Sequence, residues 1–195
     1  GRFEKTGLEG FHDYEILELI LTCALPRIDT KPLAKALIEK FGGLAGVFDA
    51  PAQEVMRVAG IGPKASGLLS LFKPACSAYL KDRVKGLSVL DHPQRVADYC
   101  RMTLAGKGHE VVYVLFIDVK NRIIAEKIIA QGTIDESHVY PRRLIEEALG
   151  CQAAGFILVH NHPSGQVQPS PADRALTKKI TQVAAAVELR FLDHL

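Results

Sequence analysis

Residues 111–118 (VVYVLFID) constrain the fold of this chain most strongly. The segment is rich in β-branched and aromatic residues, which predicts a buried strand. Its apolar part, 111–117, is far shorter than the ~18 apolar residues needed to cross a bilayer. A turn at 119–122 and a second predicted strand at 123–129 follow, so we expect a hairpin inside a globular core.

The sequence pattern changes near residue 90. Residues 1–85 predict helices alone, residues 86–94 predict a linker, and from residue 95 strands alternate with helices. The expected fold class is therefore α+β of a mixed α/β type, with an all-helical N-terminal domain at 1–85 and a mixed domain at 95–195. The predicted helices are 13–24, 30–41, 44–48, 52–58, 64–80, 95–104, 140–149 and 171–187, and the further strands are 155–159 and 188–195.

Net charge and cysteine usage indicate which kind of partner and which cellular compartment to expect. The chain carries a formal charge of only +2, but residues 57–85 hold six Lys and Arg against one Asp, a local net charge of +5. Such a segment suits a phosphate-bearing partner, although a solvated helix face gives the same pattern. The four cysteines lie far apart and form no CxxC pair, which favours reduced thiols. With no signal-like N-terminus and no membrane-length apolar run, we expect a cytoplasmic protein without a membrane partner.

A glycine turn lies inside the basic segment, at Gly60-Ile61-Gly62-Pro63-Lys64 between two predicted helices. Glycine allows a tight turn and the close approach of another group. The unpaired N–H groups at the start of the next helix suit a phosphate. The pattern is similar to a helix-hairpin-helix motif, which makes Gly60, Gly62 and Lys64 candidates for contact with a DNA backbone. A tight turn used only for packing or for binding a protein is the alternative.

The segment His160-Asn161-His162-Pro163-Ser164-Gly165 directly follows the predicted strand 155–159. In an extended chain, side chains two residues apart point to the same face, so the two imidazoles are expected to converge while Asn161 faces away. A helix begins near residue 171, and its first turn can bring Asp173 back to the histidines.

Two histidines and one carboxylate, with water in the fourth position, form an open catalytic zinc site. Zinc lowers the pKa of its water and polarises a carbonyl, and a nearby Glu is then needed as the base. Asp173 also has a structural interpretation, because Ser170-x-x-Asp173 is a capping-box pattern. Both interpretations can hold together.

At these residues the chain resembles a known family. His160-x-His162-Pro163, followed by Ser170 and Asp173, resembles the JAMM (MPN-plus) metalloprotease signature. Nearly the whole chain resembles the bacterial RadC family, through LPRxDTKPLA at 25–34, the glycine hairpin, Gly132-Thr133-Ile134 and HNHPSG with PSxxD. The resemblance implies a JAMM/MPN-like (cytidine-deaminase-like) α/β/α domain after the helical domain.

The resemblance also implies roles for single residues. His160, His162 and Asp173 would bind Zn²⁺, and Ser170 would stabilise the tetrahedral oxyanion. The family's catalytic Glu stands at the start of a core strand, which makes Glu110 the candidate general base. Glu126, in the second strand, is the alternative candidate, and the sequence does not separate the two.

Two departures from the family bear on the site. Relatives carry a His where this chain has Tyr140, so activity or substrate choice is expected to differ; Tyr140 either donates a hydrogen bond or packs. The family's last strand continues beyond Leu195, which predicts an incomplete strand here. Loops 132–137 and 165–168 are expected to border the cleft.

Two functions from different classes follow from these features. One is a zinc metallohydrolase of peptidase or isopeptidase type, recruited to DNA by its N-terminal domain. The other is a DNA-binding protein, associated with repair or recombination, whose metal site is structural or vestigial. Phosphodiester cleavage is disfavoured by a mononuclear site, because many nucleases use two metals.

Overall fold

The computed structural model describes residues 2–132 and 139–195. Within these residues it contains nine helices and one four-stranded sheet. They form two compact units, one that ends at Cys76 and one that begins at Ser77. The first unit holds only helices and the second holds both helices and strands, which confirms the predicted fold class.

Short helices build the first unit around an apolar core. Leu17 and Leu21 come from one helix, Leu37 from the next and Leu69 from a later one, and all four are fully buried. The spacing of four residues between Leu17 and Leu21 places both on one face of their helix. The helices are α1 (Arg2–Thr6), α2 (Asp13–Ala24), α3 (Lys31–Phe41), α4 (Leu44–Asp49), α5 (Ala52–Val55) and α6 (Pro63–Val84), the last of which continues into the second unit.

The second unit is built on a mixed sheet in the order β2-β1-β3-β4. β1 pairs antiparallel with β2 and β3, while β4 pairs parallel with β3. The parallel pair needs a crossover, and α9 supplies it. The elements are α7 (Pro93–Leu104), β1 (Glu110–Ile117), β2 (Ile123–Gly132), α8 (Pro141–Gly150), β3 (Gly155–His160), α9 (Pro171–Ala186) and β4 (Arg190–His194).

Helices cover both faces of this sheet. Val112, Val114 and Phe116 pack on the side of α8 and α9, whereas Tyr113 and Leu115 pack on the side of α7. Because β1 is buried on both faces, its sequence is continuously apolar rather than alternating. The unit therefore has the three-layer α/β/α arrangement that the resemblance implies.

The elements differ from the predictions mainly at their ends. α1 was not predicted, and it buries none of its residues. α6 continues through the charged segment 81–84 to Val84 instead of ending at residue 80. α5 ends at Val55, three residues before the predicted end at 58. Among the described residues, no helix combines the length and the apolar character that a membrane span requires.

Candidate metal centre

The end of β3 positions the first histidine. His160 is the last residue of β3 and pairs with Val112 of β1, so its side chain lies on the sheet face covered by α8 and α9. The chain then leaves the sheet, and His162 follows with its ring centroid 4.6 Å from that of His160. The predicted convergence of the two imidazoles is present.

Asn161 fastens the turn between the two histidines. Its Oδ1 accepts a hydrogen bond from the backbone N–H of Val111 at 2.9 Å, and its Nδ2 donates to the carbonyl of His109 at 3.1 Å. The side chain therefore ties the end of β3 to the start of β1. Because the side chain of Asn161 is held against the start of β1, the rings of His160 and His162 point to the opposite side of the chain.

The first turn of α9 positions the carboxylate. Ser170 is the N-cap residue, and its Oγ accepts from the backbone N–H of Asp173 at 3.1 Å. In return, Oδ2 of Asp173 accepts from the backbone N–H of Ser170 at 2.7 Å. The predicted capping box is therefore present, and it fixes the orientation of the same carboxylate that faces the histidines.

The three side chains meet at one point. Nε2 of His160 lies 3.3 Å from Oδ1 of Asp173, and Nε2 of His162 lies 3.4 Å from Oδ2 of the same carboxylate. The two Nε2 atoms are 2.7 Å apart. One ligand atom from each side chain lies within 4.8 Å of the others.

This donor set fits a zinc ion. Nδ1 of His162 contacts the carbonyl of Gln166 at 2.5 Å and must donate to it, so Nε2 is the nitrogen of His162 left to face a metal. Two imidazole lone pairs at 2.7 Å repel, so a proton or a cation must lie between them. Tetrahedral ligands about 2.1 Å from zinc are about 3.4 Å apart. The distances of 3.3 Å to Oδ1 and 3.4 Å to Oδ2 of Asp173 are each near that spacing but end on different oxygens, and the nitrogen–nitrogen distance of 2.7 Å is shorter.

The electrostatics of the site favour the ligand forms. Burial lowers the pKa of His160 by more than the carboxylates of Asp173 and Glu110 raise it, so the ring is neutral at pH 7. Burial raises the pKa of Asp173, but the hydrogen bonds from Ser170 and the neighbouring imidazoles outweigh this effect and hold it below its usual value. A neutral imidazole and an ionised carboxylate are the forms that bind a metal.

The two candidate bases lie on opposite faces of the sheet. Glu110 stands two residues before Val112 in β1 and therefore shares the face of His160, whose pKa it influences. Glu126 pairs with Leu115 in the register of β1 and β2, so it lies on the α7 face. Of the two, only Glu110 is on the same side of the sheet as the cluster.

Comparisons with known proteins identify the family of the chain. The family model described as a RadC-like JAB domain matches residues 90–195. The chain is also 43% identical over 194 residues to a UPF0758 protein of Rhodobacter capsulatus, covering 100% of this chain and 91% of that relative. The chain belongs to the RadC family. Its second unit accordingly contains a JAMM-type domain, and its His/His/Asp cluster is compatible with zinc.

In this RadC-family chain, Glu126 binds to side chains on the α7 face of the sheet. Tyr99 of α7 donates to its Oε2 at 2.5 Å, and Lys81 forms an ion pair with its other oxygen. Tyr99 in turn contacts the hydroxyl of Tyr113 at 3.1 Å. Burial and the bond to Glu126 raise the pKa of Tyr99 to about 12, so this tyrosine stays a donor.

A cleft of about 1230 Å³ borders the histidines of this RadC-family site. The end of α7, the loop after His162, α9 and β4 line it. Of the predicted border loop 165–168, Gly165, Gln166 and Val167 contribute. Of the other predicted loop, 132–137, residues 133–137 lie outside the part of the chain that the structure describes. Tyr140, the N-cap residue of α8, is 65% exposed, so it does not pack into the core.

The predicted DNA-contact residues lie in the first unit. Gly60 has φ +89°, and a Cβ there would lie 2.8 Å from a methyl carbon of Leu33, so glycine is needed for both conformation and packing. A Cβ on Gly62 would meet nothing within 4 Å, so its surroundings are open. Lys64 is exposed in the first turn of α6.

Four residues near the cluster make contacts that were not predicted from the sequence. Asn161 was expected only to face away, whereas it ties two strands together. Gln166 fixes the tautomer of His162 through its backbone carbonyl, which no side-chain pattern reveals. His194 and Thr177 approach from β4 and α9. The only available signal for His194 was a histidine inside a predicted strand.

Proposed function

We propose that this RadC-family protein is a zinc-dependent metallohydrolase that cleaves peptide or isopeptide bonds. The observation that carries the proposal is the convergence of His160, His162 and Asp173, with Glu110 on the same face of the sheet. A zinc ion held by these ligands would supply a Lewis acid for the substrate carbonyl and lower the pKa of a water molecule toward about 7.

Glu110 is proposed as the general base. Its carboxylate would accept a proton from the attacking water as the water oxygen bonds to the carbonyl carbon. The same carboxyl group would then deliver that proton to the amide nitrogen as the carbon–nitrogen bond breaks. Placement at the start of β1, on the face of His160, supports this role.

Ser170 is proposed to stabilise the developing oxyanion. Its Oγ already accepts from the N–H of Asp173, and its hydroxyl proton, which bonds to the Asp173 carboxylate, would turn from that carboxylate to the oxyanion. The capping box holds this hydroxyl beside the carboxylate, so the donor is oriented before substrate binds.

A test of the proposal compares Glu110→Gln with Glu126→Gln. The protein is loaded with zinc, and its metal content is measured by mass spectrometry. A pool of synthetic peptides of mixed sequence, including isopeptide-linked pairs, is then searched for cleavage. Glu110→Gln should retain about one zinc per chain and lose at least ~100-fold in turnover, whereas Glu126→Gln, on the opposite face, should keep its turnover.

The remaining results of this experiment separate the alternatives. Unchanged turnover of Glu110→Gln would remove Glu110 from the mechanism. The double variant His160→Ala/His162→Ala should lose the zinc, and a double variant that retains it would contradict the ligand assignment. A wild-type protein that binds zinc and cleaves no probe would favour the second function.

The second candidate function is binding to the DNA backbone through the first unit. The open space at Gly62, next to the exposed Lys64, favours it. Residues 57–76 of this unit carry three Lys and Arg and no Asp or Glu, which is compatible with a phosphate partner. In the combined form of the proposal, this contact recruits the hydrolase to DNA.

A further inference from the structure

A third histidine lies against the proposed metal centre. Leu158 of β3 pairs with His194 of β4, which brings the ring of His194 beside that of His160. The two ring centroids are 4.7 Å apart with an angle of 48° between the planes. His194 is not one of the three clustered ligands, so its proximity needs another explanation.

The hydrogen bonds of Thr177 determine which nitrogen of His194 carries the proton. The Thr177 hydroxyl has one hydrogen, and it donates that hydrogen to the backbone carbonyl of Asp173 at 2.7 Å. Its contact with Nδ1 of His194 at 2.6 Å must then be one in which Nδ1–H donates. Nε2 of His194 is therefore an acceptor with a free lone pair.

Two buried nitrogen atoms on the adjacent rings lack partners. Nδ1 of His160 and Nε2 of His194 are both buried and have no hydrogen bond to any part of the chain that the structure describes. If Nε2 of His160 binds a metal, the proton of that neutral ring is on Nδ1. One ring then offers an unsatisfied donor and its neighbour an unsatisfied acceptor, and leaving both buried and unpaired is costly.

We propose that His194 is a positioning residue for the metal centre. Its Nε2 accepts a hydrogen bond from Nδ1–H of the metal-bound His160, either after a small ring rotation or through one water. Its Nδ1–H meanwhile binds Thr177, which holds the first turn of α9 that carries Asp173. His194 would thus orient His160, and its bond to Thr177 fixes which nitrogen of His194 faces that ring. This inference rests on the proposed binding of zinc.

Two substitutions separate the two nitrogens of His194. An Asn side chain places its amide near the position of Nδ1, and a Gln side chain reaches the position of Nε2. His194→Gln therefore keeps an acceptor toward His160, whereas His194→Asn keeps only the donor toward Thr177. Both variants lose the imidazole ring, so the loss of ring packing affects them equally. His92→Asn, at the N-cap of α7 where the side chain makes no capping bond, is the control.

The experiment measures the zinc dissociation constant of each full-length variant by competition with a chromophoric chelator. Loss of a partner that orients a metal-bound His typically weakens metal binding 10–100-fold. We expect His194→Asn to show about that loss, and His194→Gln and His92→Asn to remain within about threefold of wild type. Equal effects of Asn and Gln at position 194, or no effect of Asn, would overturn the inference.

A second measurement remains valid if a variant folds poorly. Long-range ¹H–¹⁵N spectra of the zinc-loaded wild-type protein report the tautomer of each histidine. His194 should carry its proton on Nδ1, and a proton on Nε2 would contradict the inference. Wild-type protein that binds no zinc would overturn the proposed function, and this inference with it. Zinc binding that is indifferent to His194→Asn would overturn the inference alone.

Discussion

Substituting Asn161 with Ala tests whether its side chain holds the turn between His160 and His162 in place. The change removes the acceptor for the N–H of Val111, a residue with 0% exposure, and the donor to the carbonyl of His109. An unsatisfied buried donor costs about 1–3 kcal/mol, and the net loss of an ordinary hydrogen bond adds about 0.5–1.5 kcal/mol. We therefore expect Asn161→Ala to reduce the stability of the sheet by about 1.5–4.5 kcal/mol.

The chain has two units, so a single unfolding transition need not report on the sheet alone. Amide hydrogen exchange read by mass spectrometry gives the free energy of opening for peptides of β1 and β3 separately. The metal-free protein is used, so that zinc binding does not mask the effect. Val167→Ala is the matched control, because Val167 lies in the following loop and is 93% exposed.

The expected result is a lower free energy of opening in β1 and β3 for Asn161→Ala and an unchanged value for Val167→Ala. A decrease below about 0.5 kcal/mol, the usual range for surface substitutions, would refute the reasoning. In that case water would be satisfying the N–H of Val111, and the turn would be held by other contacts.

Two further predictions concern an acidic side chain in the second unit and a basic one in the first. Hydrogen bonds from Lys81 and Tyr99 outweigh the effect of burial and lower the pKa of Glu126 below 4.5, so its stabilising effect is present above that pH and is lost as the pH falls through the folded-state pKa. Glu126→Gln should therefore be less stable at pH 7 and lose less stability between pH 5 and about pH 3 in thermal unfolding; an unchanged acid slope would contradict this. Lys64→Glu should weaken binding to duplex DNA and flatten its salt dependence, as measured by fluorescence anisotropy, and unchanged binding would assign the hairpin to packing.

The features that the sequence predicted well are local ones. The helix Asp13–Ala24 has the predicted bounds, because the apolar spacing that predicts it lies within the segment itself. The capping box of Ser170 and Asp173 is equally local, since three residues separate its partners. The extension of α6 to Val84 was missed because charged residues with no apolar period resemble a linker.

The choice between Glu110 and Glu126 could not be made from the sequence alone. Side chains alternate along a strand, so each carboxylate has a definite face, but a slip of one residue exchanges the faces. The pairing of β1 with β2 shifts at Val112/Tyr113 and again at Phe116/Ile117. Such irregularities cannot be read from composition, and the relation between the two carboxylates became visible only with the register.

The contacts around the candidate ligands could not be predicted from the sequence for a different reason. The candidate ligands follow a motif because they are close in sequence, but groups that contact this segment come from other elements: Val111 of β1 bonds to Asn161, and His194 of β4 lies beside His160. Each of these contacts depends on strand order and register. The tautomer of a ligating histidine is set by the bond of its other nitrogen. The nearby carbonyl of Gln166 does this for His162, whereas the proposed partner of His160 is the distant His194. The HNHPSG segment alone therefore predicts the candidate ligands, whereas their orientation depends on how β1, β3, β4 and α9 meet.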